Sequence, residues 1–96
     1  MLDEIGRATC GRVWWITGAW PSRQVALDKL REEIGELLAP GANVQDEAAD
    51  VVISLASLAA VHMFSLDDAV RRKVAINEAR TWEWAENGTI RHVERT

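Results

Sequence analysis

Apolar residues recur every three or four positions along most of this chain, and only two prolines, Pro21 and Pro40, interrupt the pattern. That spacing lines one face of an α-helix, while proline is tolerated at helix ends and breaks helix interiors. The chain is therefore expected to be a string of helices divided around these two points. Leu2, Ile5, Thr9, Val13 and Ile16 mark a first helix, stopped by Gly18 ahead of Pro21. Gly6 and Gly11 would each weaken it by about 1 kcal/mol relative to alanine. Ser22 is a good N-cap for a second helix with the stripe Leu27, Leu30, Ile34, Leu37 and Leu38, ended by Pro40 and Gly41.

Asn43 caps a third helix, with Asp46 and Glu47 in its first turn, where the helix dipole favours negative charge. From Ala48 to Phe64 this helix is apolar nearly all round, which predicts a central element packed on several sides. Ser65 with Asp68 resembles a capping box and opens a fourth helix through Ala69, Val70, Val74 and Ile76 to about Arg80. In the segment that follows, Asn87-Gly88 predicts a two-residue hairpin in which Trp84 faces Arg91 and Trp82 faces Val93. The expected fold is all-α: one domain, residues 1–96, a small helical bundle of about four helices with a short C-terminal β-hairpin or extended tail over 82–96. A domain of 96 residues buries little surface alone, so an oligomer is expected.

Fifteen acidic against eleven basic residues give a net charge of −4, and no electrostatic footprint for a nucleic-acid polymer. The longest apolar run, from Val51 to Phe64, falls short of the roughly twenty residues that span a bilayer, so no membrane association is expected. The amino terminus carries early acids and reads as neither signal nor transit peptide. A single cysteine, Cys10, fits a reducing cytoplasm and reads as a buried small hydrophobe, since no activating histidine lies near it in sequence.

The chemistry lies in two acidic pairs at helical spacing. Glu33 and Glu36 on the second helix, and Glu47 and Asp50 on the third, each point one way. Either pair alone is more often solvated surface. Together they would put four carboxylates into one region of the most apolar half of the chain, where they cannot all stay ionised without a cation. Lys29 serves only Glu33. No Glu-x-x-His pattern is present, which removes the di-iron carboxylate alternative, and all-oxygen ligation favours Mg²⁺, with Mn²⁺ next. Lys73, Asn77 and Arg80, spaced i, i+4, i+7 on the fourth helix, form a basic face suited to phosphate oxygens.

The strings KLREEIGELL, DEAADVV and KVAINEARTW resemble the MazG-like group of all-α nucleoside triphosphate pyrophosphohydrolases. That resemblance covers most of the chain. It implies Mg²⁺-dependent cleavage of the α–β phosphoanhydride to a nucleoside monophosphate and pyrophosphate, in a homodimer or homotetramer. It further implies that Glu33, Glu36, Glu47 and Asp50 hold the metal, that Glu32 with Glu33 forms the catalytic pair, Glu32 orienting the attacking water, and that Lys73, Asn77 and Arg80 receive the phosphates. The ten residues between Glu36 and Glu47 are slightly fewer than the group commonly shows, which implies a tighter nucleotide pocket. The competing expectation is a non-catalytic helical oligomer or nucleotide sensor of the same fold. Five tryptophans are a heavy aromatic load. Of these, Trp14, Trp15 and Trp20 could stack on a base, although packing at a core or interface is the commoner use of each; Trp82 and Trp84 are expected to close the hairpin onto the bundle, with Arg91 stacked on Trp84.

Overall fold

In a computed structural model of the chain, residues 1–84 and 86–93 are described. Four helices are followed by a two-stranded antiparallel hairpin: α1 (Leu2–Thr17), α2 (Arg23–Leu38), α3 (Val44–His62), α4 (Leu66–Ala79), β1 (Thr81–Trp84) and β2 (Ile90–Val93). Each expected N-cap works as such. Ser22 Oγ accepts from Val25 N–H, Asn43 Oδ1 from Asp46 N–H and Ser65 Oγ from Asp68 N–H, at 3.1 to 3.2 Å. Gly18, in the left-handed region at φ 78°, ends α1 by donating its N–H to Trp14 O at 2.7 Å. Arg80 is the C-cap of α4, so the fourth helix stops one residue before its expected end.

Helix α3 is the spine, flanked by α1 on one side and α2 on the other. The buried side chains that let these helices approach are small: Cys10 on α1, Ala26 on α2, and Ser54, Ala56 and Ala59 on α3. Gly6 marks the tightest crossing. A Cβ there would stand 2.1 Å from the carbonyl oxygen of Ala56, so the glycine read from sequence as a weak point of α1 is what allows α1 to seat on α3. Cys10 is 1% exposed and donates its thiol to Ser57 O at 3.5 Å; burial pushes the thiol up from its ordinary pKa, as befits an inert packing residue.

Helix α4 behaves differently. It turns 107° from the axis of α3 and buries no side chain; Val70, Val74 and Ile76 are 45%, 48% and 41% exposed. The radius of gyration is 16.5 Å, against about 12.5 Å for a compact chain of this length. The difference is α4 and the hairpin standing away from the other three helices. Val52, Ile53 and Leu55 of α3 are also exposed, so the central helix is covered on two sides rather than all round. Among the described residues no single helix is long and apolar enough to cross a membrane.

Two local expectations need correction. The hairpin pairs Trp82 with His92, Glu83 with Arg91 and Trp84 with Ile90, one residue out from the expected register. A two-residue turn of type I′ needs positive φ at both Asn87 and Gly88; only Gly88 has it, at φ 82°. Asn87 instead uses its side chain, Oδ1 accepting from Thr89 N–H at 3.1 Å and from Thr89 Oγ1 at 2.6 Å, which fills the loop with a longer Asx-type turn. Arg91 then faces Glu83 and pairs with it at 2.6 Å, so it is not stacked on Trp84. Trp82 donates its indole N–H to Asn77 O at 2.8 Å and ties the hairpin to α4, whereas Trp84 is exposed and closes on nothing in the described chain. Ala85 and residues 94–96 of the expected tail lie outside the described residues.

The second correction concerns the start of α4. Ser65 accepts from Asp68 N–H, but the return bond of a capping box is not made by Asp68, whose carboxylate faces Arg71 at 3.5 Å. Asp3 of α1 instead covers the next donors of the helix start, accepting from Leu66 N–H at 2.7 Å, Asp67 N–H at 3.1 Å and Ser65 Oγ at 2.6 Å. A partner more than sixty positions away in sequence satisfies backbone donors that the local cap leaves open.

Candidate metal and nucleotide site

Three of the four expected metal ligands converge. Glu33 and Glu36 reach from the C-terminal half of α2, and Glu47 from the first turn of α3, because the short turn after Pro40 sets the two helices side by side and opposite in direction. One carboxylate oxygen from each lies within 4.8 Å of the others. Asp50, one turn further along α3, stands outside that trio but lines the adjoining cavity with Glu33 and Lys29. Glu32 lies on the exposed side of α2, 3.6 Å from the Lys29 ammonium.

Burial is graded across the cluster. Glu33 is 6% exposed, Glu47 half-buried and Glu36 exposed. Lys29 Nζ reaches Glu33 Oε1 at 2.9 Å and holds the Glu33 carboxyl below the usual carboxylate range. Glu33 in turn pushes Glu36 above that range, with burial and the charges of Glu47 and Glu32 adding to the effect. One lysine thus relieves one glutamate and leaves the others repelling each other. Two oxygens complete the picture: Glu33 Oε2 and Glu47 Oε2 are buried with no hydrogen-bond partner. A buried, unpartnered carboxylate oxygen is costly, and two of them aimed into a nest of further carboxylates fit a bound cation. The donors are all hard oxygens, the ligand chemistry of Mg²⁺ and Mn²⁺.

Beside the acids lies a cavity of about 450 Å³. Its wall combines Lys29, Glu33, Asp50, Ser54 and Ser57 with the apolar Val13, Pro21, Val25, Ala26 and Ile53. A largely apolar cavity that carries two of the carboxylates suits a ligand with both an uncharged ring and a charged group. Lys29, noted in sequence only as a counter-ion, proves to be part of this wall.

The remaining expected residues stand elsewhere in the single chain. Lys73, Asn77 and Arg80 lie on α4 and none lines the cavity; Arg80 Nη1 is 3.4 Å from Asn77 Oδ1. Trp14 and Trp15 are exposed on the last turns of α1 and also lie outside it, while Trp20 lines a second, more open hollow with Arg7 and Phe64.

An all-α chain in which two adjoining helices bring carboxylates together beside a nucleoside-sized cavity defines a helix-borne, divalent-cation centre of the kind that handles phosphoanhydrides. Among known proteins, the dATP/dGTP diphosphohydrolase of cyanophage S-2L is 43% identical over 82 residues, covering 82% of this chain and 78% of that protein. A dATP/dGTP diphosphohydrolase of Salmonella phage PMBT28 is 37% identical over 81 residues, which span 82% of this chain and 28% of that longer protein. The solved structure of the cyanophage S-2L MazG-like pyrophosphohydrolase, bound to dGDP and three catalytic Mn²⁺ ions per active site, superimposes with a TM-score of 0.79 at 32% identity, covering 100% of this chain and 96% of that one. No family profile matches the chain. On the relatives and the shared fold, the chain belongs to the MazG-like pyrophosphohydrolase family, a group of hydrolases acting on nucleotide anhydrides.

Proposed function

We propose that this protein hydrolyses the α–β phosphoanhydride of a purine deoxynucleoside triphosphate, with Mg²⁺ or Mn²⁺, to the nucleoside monophosphate and pyrophosphate. The observation that carries the reading is the pair of buried, unpartnered oxygens on Glu33 and Glu47, set among converging carboxylates, with Glu33 also lining the cavity. The phage relatives that act on dATP and dGTP support the substrate class.

In this reading Glu33, Glu36, Glu47 and Asp50 hold the divalent cation, which when bound neutralises carboxylate and polyphosphate charge and polarises the anhydride. Glu32, at the water-facing edge of α2, orients the attacking water and accepts its proton, with Glu33 beside it as the other member of the catalytic pair. Lys29 holds Glu33 ionised and oriented. The apolar part of the cavity wall, Val13, Pro21, Val25 and Ala26, takes the nucleoside and excludes water from it. No nucleophilic side chain is required, because phosphoryl and nucleotidyl transfer depend on positioning and charge neutralisation.

Lys73, Asn77 and Arg80 bind the phosphates. In a homodimer or homotetramer the uncovered face of α4 packs on a neighbouring copy, and the exposed Trp14, Trp15 and Trp20 meet that neighbour, where one of them can stack on a base. This assembly would cover Val70, Val74 and Ile76, which one chain leaves in water.

The test is a panel of ribo- and deoxynucleoside triphosphates incubated with Mg²⁺ or Mn²⁺ and scored for monophosphate and pyrophosphate. dATP and dGTP are expected to be turned over, and Glu33→Gln, Glu47→Gln and Asp50→Asn to lower kcat by at least about a hundredfold. Release of orthophosphate would mean β–γ cleavage and would overturn the assignment of the scissile bond.

A further inference from the structure

Helix α4 carries the proposed phosphate ligands, yet it buries no side chain and swings 107° away from α3. Something other than core packing must set its direction. Its packing within the chain is against α1, and the bonds there run both ways. Asp3, in the first turn of α1, accepts from Leu66 N–H, Asp67 N–H and Ser65 Oγ at the start of α4. Asp67, in the first turn of α4, accepts from Leu2 N–H at 3.1 Å and Asp3 N–H at 3.0 Å at the start of α1. Each carboxylate therefore caps the other's helix and satisfies backbone donors that a helix start leaves open. A single cap resists separation; bonds from both sides, spread over several backbone atoms, also resist rotation.

We infer that Asp3 and Asp67 are positioning residues, whose reciprocal caps fix the angle at which α4 leaves α1 and hence where Lys73, Asn77 and Arg80 meet the substrate phosphates. The inference rests on the assignment of those three residues to phosphate, and it holds whether they serve the site of their own chain or of a neighbouring copy. Neither aspartate lines the cavity beside the acidic cluster, so neither acts on metal or water there.

The bond pattern separates the variants. Asp3→Asn keeps an Oδ1 for both backbone donors and turns an amide toward Ser65 Oγ, whereas Asp3→Ala removes all three bonds. Asp67 uses both oxygens on backbone N–H groups and takes the Met1 ammonium on Oδ2 at 3.0 Å, so Asp67→Asn must aim an NH₂ at a donor and also gives up that ion pair. Asp67→Asn and Asp3→Ala are expected to raise KM for dATP or dGTP roughly tenfold with kcat within about twofold, as lost ground-state binding does. Asp3→Asn should stay near the parent, and the Mn²⁺-induced rise in melting temperature should be the same in all. Ser65→Ala, which removes one bond of the joint and leaves both carboxylates, should give an intermediate KM and keeps the test open should Asp3→Ala fail to fold. Spin labels at Arg12 and Glu78, in chain diluted with unlabelled copies, should show a broader distance distribution in Asp67→Asn and Asp3→Ala only. If Lys73→Ala and Arg80→Ala leave KM unchanged, the phosphate assignment falls and this inference with it. If those two raise KM while Asp67→Asn and Asp3→Ala do not, or if the label distances stay narrow in the latter, the positioning role is overturned and the phosphate assignment stands.

Discussion

Glu36 shows how the site trades stability for function. It is the exposed member of the trio, and Glu33 pushes its pKa above the ordinary value. A carboxyl raised in the folded state makes folding less favourable once pH exceeds that raised value, and the penalty fades as pH falls through it. At neutral pH the cation-free protein therefore carries a strain that a cation would relieve. Glu36→Gln should raise the melting temperature of the metal-free protein and blunt the further rise on adding Mn²⁺, read by thermal denaturation with and without chelator. An unchanged response to Mn²⁺ in this variant would remove Glu36 from the ligand set.

At the scale of elements, glycines of the same helix answer opposite questions. Gly6 meets the backbone of Ala56, while nothing lies within 4 Å of the place where a Cβ on Gly11 would be. Helix propensity alone predicts a gain of about 1 kcal/mol for alanine at either position. Gly11→Ala should show that gain. Gly6→Ala should instead destabilise by about 2 kcal/mol or more, because the clash is with backbone and α1 must lift from α3. Urea denaturation of the two variants decides the matter, and equal signs would refute the close crossing. The joint between α1 and α4 belongs to the same scale. Backbone N–H of Asp3 and then the Met1 ammonium hold Asp67 down to about 2, and the Ser65 hydroxyl leads the groups that lower Asp3. Groups lowered in this way stabilise the fold fully above their unfolded value near 3.8 and lose the contribution as pH falls through their lowered values, about 2 for Asp67, so the joint stays intact through neutral and mildly acid conditions.

For the whole molecule, the proposed homo-oligomer would cover apolar surface that a single chain leaves in water. Trp15 is 82% exposed, and the apolar side chains of α4 are about half exposed. Contiguous exposed apolar patches of this kind mark contact surfaces. Light scattering should give a mass at least twice that of one chain, and the melting temperature should rise with protein concentration. A monomer with a concentration-independent transition would remove the assembly from the proposed function.

Helix starts, stops and caps were legible from residues alone, because Ser22, Asn43 and Ser65 bond to backbone three residues ahead and Gly18 needs only its own left-handed conformation. The spacing of Glu33, Glu36, Glu47 and Asp50 was legible for the same reason, since residues three apart on a helix must share a side. What the chain order could not disclose are relations between elements distant in sequence: Gly6 under Ala56, Asp3 accepting from the N–H groups that open α4, and α4 turned 107° from α3. The hairpin register sits between the two, decided by whether Asn87 uses its backbone or its side chain to turn. Local hydrogen bonds and periodicity are written in neighbouring residues; the choice among competing partners is made only when the packed helices bring them within reach.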